Sequence, residues 1–150
     1  MNVIVNNLLT NYEKQGKGPV VLFLHGWGDD LRTFSALIAK LKSSRTCIAV
    51  DLPGFGATQQ PSEVWGVSDY AEFVKSFVEK LNLDLVAVVG HSNGGTIAMY
   101  GLSHNLLNPQ KLVLLASAGI RNEDGLKKVT LKVVAKTGKL FSKALPKDTQ

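Results

Sequence analysis

Hydrophobic positions along the chain alternate between short continuous runs and longer segments with helical spacing. The short runs are typical of strands buried on both faces of a sheet; they are VVLFLH (20–25), TCIAV (46–50), LVAVV (85–89) and KLVLLA (111–116). The longer segments repeat apolar side chains every three or four positions and predict helices; they cover 31–41, 70–81 (after Ser68 and Asp69) and 93 to about 104. Weak alternation over residues 3–12 predicts one or two edge strands. This order of elements predicts an α/β fold, a mostly parallel sheet of about six strands with flanking helices.

Composition adds few constraints. The chain of 150 residues is 45% hydrophobic and 19% charged, which is ordinary for a soluble globular protein. It has neither an apolar run of the roughly 18 residues that a membrane span needs nor a basic, apolar secretory leader, so we expect a cytoplasmic protein. Cys47 lies in an apolar run and is predicted to be a core residue. No Cys/His cluster has zinc-like spacing, and neither a metal nor an organic cofactor is implied.

The positive charge is concentrated at the C-terminal end. Residues 1–120 carry nine basic and nine acidic side chains, whereas residues 121–150 carry eight and three, so the whole net charge of +5 lies in that segment. Its lysines alternate with apolar residues, which predicts an amphipathic helix over a hydrophobic groove. Binding of this segment to nucleic acid or to an anionic membrane surface is the alternative, and we do not expect nucleic acid as a partner.

The clearest candidate for chemistry is a turn between a strand and a helix. Gly90, Ser92 and Gly94 fit the pattern G-x-S-x-G, directly after the run 85–89 and directly before the helix at 93–104. In a nucleophile elbow the serine occupies a strained backbone conformation, and glycines flank it because larger side chains would collide with the adjacent chain. Ser92 is therefore the candidate nucleophile.

An attacked carbonyl also needs hydrogen-bond donors for its developing negative charge. One is expected to be the backbone N–H of Asn93, the residue after the nucleophile. The second is expected from His25-Gly26-Trp27-Gly28, which follows an earlier strand. Gly26 and Gly28 would let this loop bend so that the N–H of Trp27 points into the pocket.

Three motifs in this order, HGWG, DLPGFG and GHSNGG, resemble the α/β-hydrolase fold family over residues 3–120. The chain is similar to small esterases, lipases and carbon–carbon bond hydrolases, and differs from haloalkane dehalogenases, which have Asp at the position of Ser92. The resemblance implies a serine hydrolase acting on an ester or related acyl bond of a small molecule. It also implies a structural DLPGFG loop, with Asp51 as catalytic acid the alternative. Trp27, Phe55 and Trp65 form either an apolar pocket wall or ordinary packing.

The resemblance implies a triad in the chain order Ser, Asp or Glu, His, with the last two after later strands. His25 is implied to be structural, the side chain of His91 should diverge from that of Ser92, and His104 lies roughly 16–18 Å along the helix. None suits a general base, which needs contact at about 3 Å. We therefore expect a hydrolase core (1–120) truncated before its last strands, with residues 111–116 at the sheet edge.

Residues 121–150 are then the first helical segment of a cap, and the C-terminal half that supplies the acid and base is missing from this sequence. A ligand-binding or catalytically inactive member of the same fold is the alternative function. The sequence does not specify the substrate, because in this family the cap largely shapes the pocket.

Overall fold

The computed structural model describes residues 1–117, which contain a six-stranded sheet. The strands are β1 (Asn2–Val5), β2 (Leu8–Gln15), β3 (Val20–Leu24), β4 (Thr46–Val50), β5 (Leu85–His91) and β6 (Lys111–Leu115). They lie in the order β1-β2-β4-β3-β5-β6. From β4 to β6 neighbouring strands are parallel, whereas β1–β2 and β2–β4 are antiparallel. The predicted mostly parallel sheet is confirmed, and the carboxyl ends of its four parallel strands meet at one edge.

The first two strands form a hairpin with a two-residue turn. Val5 pairs with Leu8, and Asn6 and Asn7 between them have φ of 48° and 63°. Asparagine tolerates this left-handed region, and positive φ at both central residues matches the twist of the strands. Of the predicted edge strands only β1 is at the edge, because β2 also pairs with β4.

Alternate side chains of the parallel strands build a core on each face of the sheet. Leu22 and Leu24 of β3 belong to one cluster, together with buried residues of the helices α2 (Val67–Lys80) and α3 (Asn93–Ser103). Phe23 belongs to a second cluster, with Ile38 of helix α1 (Ser35–Leu41). Cys47 is buried in the second cluster, as predicted. Each fully buried side chain of this size contributes about 1.5–3 kcal/mol.

Two helix starts differ from the sequence prediction. The segment 31–41 is not one α-helix: it begins with a 3-10 turn (Leu31–Phe34), in which a side-chain oxygen of Asp30 accepts the N–H of Arg32 at 2.8 Å. Helix α2 begins at Val67, so Asp69 lies inside its first turn, where its carboxylate accepts the N–H of the N-cap residue Gly66 at 2.7 Å. Such a residue satisfies a terminal N–H from within the helix, and the prediction wrongly placed it before the start.

Strand β6 forms one edge of the sheet within the described part of the chain. It pairs with β5, and Val113, Leu114 and Leu115 are 42%, 43% and 38% exposed. An apolar edge strand is what the sequence predicted for 111–116. The predicted cap segment 121–150 lies outside the described residues. Between residues 1 and 117, no helix is long and apolar enough to cross a membrane.

Candidate active site

His25 joins the loops that follow β3 and β4. The ring is fully buried, and its Nε2 accepts the N–H of Leu52 at 2.9 Å. Because Nε2 is an acceptor, Nδ1 carries the proton and donates to the carbonyl oxygen of Gly26 at 2.8 Å. Burial lowers the pKa of His25 below its usual value. The neutral ring therefore fixes the start of the HGWG loop, the structural position expected from the sequence.

We expect this histidine to make folding stability depend on pH. The unfolded chain takes up a proton at His25 near pH 6.5, whereas the folded chain, whose His25 pKa is lowered, resists protonation. The stability that the neutral His25 contributes is fully present above about pH 6.5, and it is lost as the pH falls toward the pKa of His25 in the folded chain. Urea unfolding at several pH values between about 5 and 7.5 should show a steeper loss of stability in the wild type than in His25→Gln. Equal slopes would contradict this role.

Asp51, at the carboxyl end of β4, is bonded to three separate segments. One carboxylate oxygen accepts the N–H of Leu31 at 2.8 Å, and the other accepts Nδ2 of Asn11 and the N–H of Ala57, both at 2.8 Å. A side chain at Gly56 would lie 2.2 Å from this carboxylate, which explains that glycine of DLPGFG. None of the three donors is a histidine, so the contacts favour the structural role of Asp51 over the catalytic one.

Asp51→Asn is expected to lower the free energy of unfolding by about 2 kcal/mol, because an amide NH₂ would then face at least one of the donors. Chemical denaturation would measure the loss. Asp84→Asn is the matched control: Asp84 is exposed, so the same change there should stay within about 0.5 kcal/mol. A loss of stability no larger than that of the control would contradict the proposed role of Asp51 in joining these three segments.

Ser92 occupies a sharp turn between β5 and α3. Its φ of 49° and ψ of −116° are a conformation that residues other than glycine rarely adopt. Its N–H donates to the carbonyl oxygen of Leu115 at 2.9 Å, and its own carbonyl oxygen accepts the N–H of Gly95 at 3.1 Å. These backbone bonds hold the turn from both sides. The geometry is the strained strand-to-helix turn that the G-x-S-x-G pattern predicts.

The flanking glycines are required by close backbone contacts. A Cβ at Gly90 would lie 2.5 Å from Cα of Gly95, and one at Gly94 would lie 2.1 Å from the carbonyl oxygen of Leu24. Real Cβ atoms do not approach other atoms so closely, and a backbone neighbour cannot move aside as a flexible side chain can. The absence of side chains therefore lets the turn and α3 pack directly on β3.

The HGWG loop lies against this turn. A Cβ at Gly26 would be 3.2 Å from Cβ of Ser92 and 3.1 Å from Nδ1 of His91. Asp29, in the same loop, has a carboxylate oxygen 3.8 Å from that nitrogen, which is buried and has no hydrogen-bond partner in the described part of the chain. The structure thus brings together the two motifs that the sequence placed in one site.

In the described part of the chain, the two backbone N–H groups predicted to stabilise an oxyanion make no hydrogen bond to the protein. Within residues 1–117, neither the N–H of Trp27 nor that of Asn93 donates to another residue. Asn93 is the first residue of α3, where a backbone N–H has no partner inside the helix. Gly28 has φ of 75°, which supports the predicted bend of the loop. Among the described residues, the N–H of Asn93, next to Ser92, and the N–H of Trp27, in the adjacent loop, are thus both without a protein acceptor.

No histidine is bonded to the candidate nucleophile. The sequence has three histidines, and no hydrogen bond joins Ser92 to any of them in the described residues. Both nitrogens of His25 are bonded elsewhere. His104, just after α3, stacks on Tyr100 with ring centroids 3.9 Å apart. His91 lies beside the HGWG loop, as described above. Within residues 1–117 the structure thus brings no histidine into hydrogen-bond contact with Ser92.

An aromatic groove of about 360 Å³ lies beside the HGWG loop; its aromatic walls are Trp27, Phe55, Trp65 and Tyr70. Trp27 is 70% exposed, and the centroid of its ring lies 4.9 Å from that of Phe55. Phe55 in turn contacts the ring of His25, with centroids 5.8 Å apart. In the part of the chain that the structure describes, no cluster of three or more His, Cys, Asp or Glu side chains is placed to hold a metal ion.

Comparison with known proteins decides the family. A family model described as alpha/beta hydrolase fold matches residues 19–150. The chain belongs to the alpha/beta hydrolase fold family. An uncharacterised Mycobacterium tuberculosis protein is 33% identical over 108 residues, which cover 72% of this chain and 32% of that protein. The 2-hydroxy-6-oxo-2,4-heptadienoate hydrolase of Pseudomonas putida is 30% identical, over 83% of this chain and 47% of that enzyme.

A solved structure with the same fold comes from a putative lipase. This lipase, from Acinetobacter baumannii, superposes with a TM-score of 0.77 and 26% identity, over 88% of this chain and 47% of that one. This alpha/beta hydrolase chain thus spans about a third to a half of the length of these relatives.

Two side chains at the site were not found from the sequence. Ser117, which follows β6, donates from its hydroxyl to the carbonyl oxygen of Gly90 at 3.2 Å and lies directly over Gly95. Tyr70 bonds to the carbonyl oxygen of Pro53 at 3.2 Å while lining the aromatic groove. Ser117 had one signal in the sequence, since it is a small residue at the carboxyl end of a predicted parallel strand. Tyr70 had none, because its spacing is that of a core residue in α2.

Proposed function

We propose that this alpha/beta hydrolase chain is the nucleophile-bearing part of a serine hydrolase that acts on an ester or related acyl bond. The observation that carries the proposal is the backbone of Ser92, held at φ of 49° between β5 and α3. A strained conformation persists where the surrounding structure enforces it, and such residues concentrate at active sites. The contact between this turn and the HGWG loop is the second support.

In the proposed reaction, the hydroxyl oxygen of Ser92 attacks the carbonyl carbon while a base removes its proton. The carbonyl electron pair moves onto oxygen, and the N–H groups of Trp27 and Asn93 stabilise the resulting oxyanion, together with the N-terminal end of α3. Collapse of this intermediate expels the alcohol, whose oxygen takes the proton back from the base, and leaves an acyl group on Ser92. Water, deprotonated by the same base, then attacks this acyl group and releases the carboxylic acid and the free serine. The base and its acid are proposed to belong to a longer parent protein, with residues 121–150 starting its cap.

A binding role is the second candidate, and the histidine geometry favours it for the isolated chain. Without a base bonded to Ser92, the pocket could hold a ligand but would seldom activate the serine. We therefore expect the 150-residue chain to hydrolyse p-nitrophenyl acetate at a negligible rate. Hydrolysis at ordinary esterase rates, abolished by Ser92→Ala, would show that a base is present after all.

The experiment that separates the two functions begins by sequencing the DNA or transcript downstream of codon 150. A reading frame that continues with a late Asp and His should be expressed whole and assayed on short-chain esters, with Ser92→Ala as control. Ester hydrolysis that depends on Ser92 would support the hydrolase. Unrelated downstream sequence, or a longer product that binds esters without cleaving them, would favour the binding role.

A further inference from the structure

Acidic side chains are concentrated in the loops at one end of the sheet. The segments 25–34 and 51–70 follow β3 and β4, and they carry one basic side chain, Arg32, against five acidic ones: Asp29, Asp30, Asp51, Glu63 and Asp69. Arg32 is already paired, since its Nε lies 3.0 Å from both carboxylate oxygens of Asp30. The rest of residues 1–117 carries eight basic and four acidic side chains. This end of the sheet therefore has a local negative excess, which the positive excess of the other residues balances over 1–117 as a whole.

The aromatic groove lies within this acidic end. Its lining includes the exposed residue Glu63 and no lysine or arginine among the described residues. Within this lining the ring centroids of Trp65 and Tyr70 lie 5.4 Å apart, and those of Trp27 and Phe55 lie 4.9 Å apart. Aromatic faces attract cations, most strongly tryptophan, and a neighbouring carboxylate adds to that attraction.

We propose that the aromatic groove binds an organic cation with apolar substituents, such as a quaternary ammonium group. An anionic group would be repelled by Glu63, and a neutral apolar group would gain only the burial of its surface. The walls contact the apolar substituents while the ring faces and the carboxylate stabilise the charge.

The groove also borders the candidate active site, since Trp27 supplies both a wall of the groove and a proposed oxyanion donor. One molecule could therefore place a cation in the groove and its carbonyl at Ser92. This extension, that the substrate is an ester carrying an ammonium group, rests on the proposed function.

The test compares acetylcholine with its neutral carbon isostere, 3,3-dimethylbutyl acetate, on the full chain. The two tryptophans of the sequence both line the groove, so intrinsic fluorescence reports its occupancy directly. We expect the cation to bind about 5-fold more tightly than the isostere at low salt, with the preference shrinking as salt is added. Glu63→Gln should weaken cation binding about 2- to 3-fold and leave the isostere unchanged. Glu72→Gln is the matched control, because this exposed glutamate of α2 does not line the groove.

Equal affinities for the two probes, or a cation preference that Glu63→Gln and Glu72→Gln reduce alike, would overturn the proposal. Trp65→Leu should weaken the binding of both probes, because Trp65 lines the groove. This result would show that the probes bind there. These affinities are measured by binding alone and require no reaction at Ser92. The binding result is therefore independent of whether Ser92 is a nucleophile, and the failure of either proposal can be recognised separately.

Discussion

Gly94→Ala is expected to lower the free energy of unfolding by about 3 kcal/mol or more. The added methyl group would lie 2.1 Å from the carbonyl oxygen of Leu24 and 2.5 Å from that of His25. Both atoms belong to the backbone at the end of β3, so relief requires α3 to move away from the sheet. Urea unfolding followed by circular dichroism would measure the loss.

The control is Gly66→Ala, at the N-cap of α2. A Cβ there would have only ordinary contacts, 3.6 Å or more from its neighbours, and the backbone is extended. Its cost should therefore stay within about 1 kcal/mol, the usual range for an N-cap change. Similar losses at both positions would show that α3 is not packed on β3 as closely as the structure has it.

Ser92→Gly is expected to make the chain more stable, by about 1 kcal/mol, while removing the candidate nucleophile. Glycine adopts φ of 49° and ψ of −116° without the strain of a side chain, which costs about 1–3 kcal/mol. Its greater freedom in the unfolded state offsets about 0.5–1 kcal/mol of that gain. Because the hydroxyl makes no capping bond to α3, its loss removes no support from the helix.

Ser92→Ala separates strain from the loss of the hydroxyl. Alanine retains the Cβ and therefore the strain, so it should be less stable than Ser92→Gly by about 1 kcal/mol although both lack the nucleophile. Thermal or urea unfolding of the three proteins gives this order. If glycine were no more stable than alanine, the turn at Ser92 would not be strained, and the main support for the proposed function would be lost.

The sequence predicted the sheet well because buried parallel strands have a simple sequence pattern, a short continuous apolar run. Runs such as VVLFLH and LVAVV are apolar on both faces only when helices cover both sides. Helix starts were harder to predict. The sequence predicted that Asp69 precedes the helix. In the structure it lies within the first turn of α2, where its carboxylate accepts the N–H of Gly66. The hydrophobic pattern does not distinguish these two positions.

The candidate site was predictable to the extent that backbone packing demands glycine. Gly90 and Gly94 stand where a side chain cannot fit, so the pattern G-x-S-x-G carries steric information in the sequence itself. The contacts of Asp51 were not predictable, since its partner Asn11 is 40 positions away and one carboxylate can suit many donors. The clustering of acidic loops around the aromatic groove likewise depends on the folding of two distant segments.

The most direct test of the central claim, that Ser92 is the nucleophile of a hydrolase, is the site at which a fluorophosphonate reacts. The 150-residue chain would be treated in alkaline buffer, where hydroxide serves as the base, and the phosphonylated residue would be located by tandem mass spectrometry. Attack by the Ser92 oxygen on phosphorus expels fluoride and leaves a tetrahedral adduct next to the N–H groups of Trp27 and Asn93. We predict slow labelling of Ser92 alone, absent in Ser92→Ala. Labelling spread over other serines, or none at Ser92, would contradict the account.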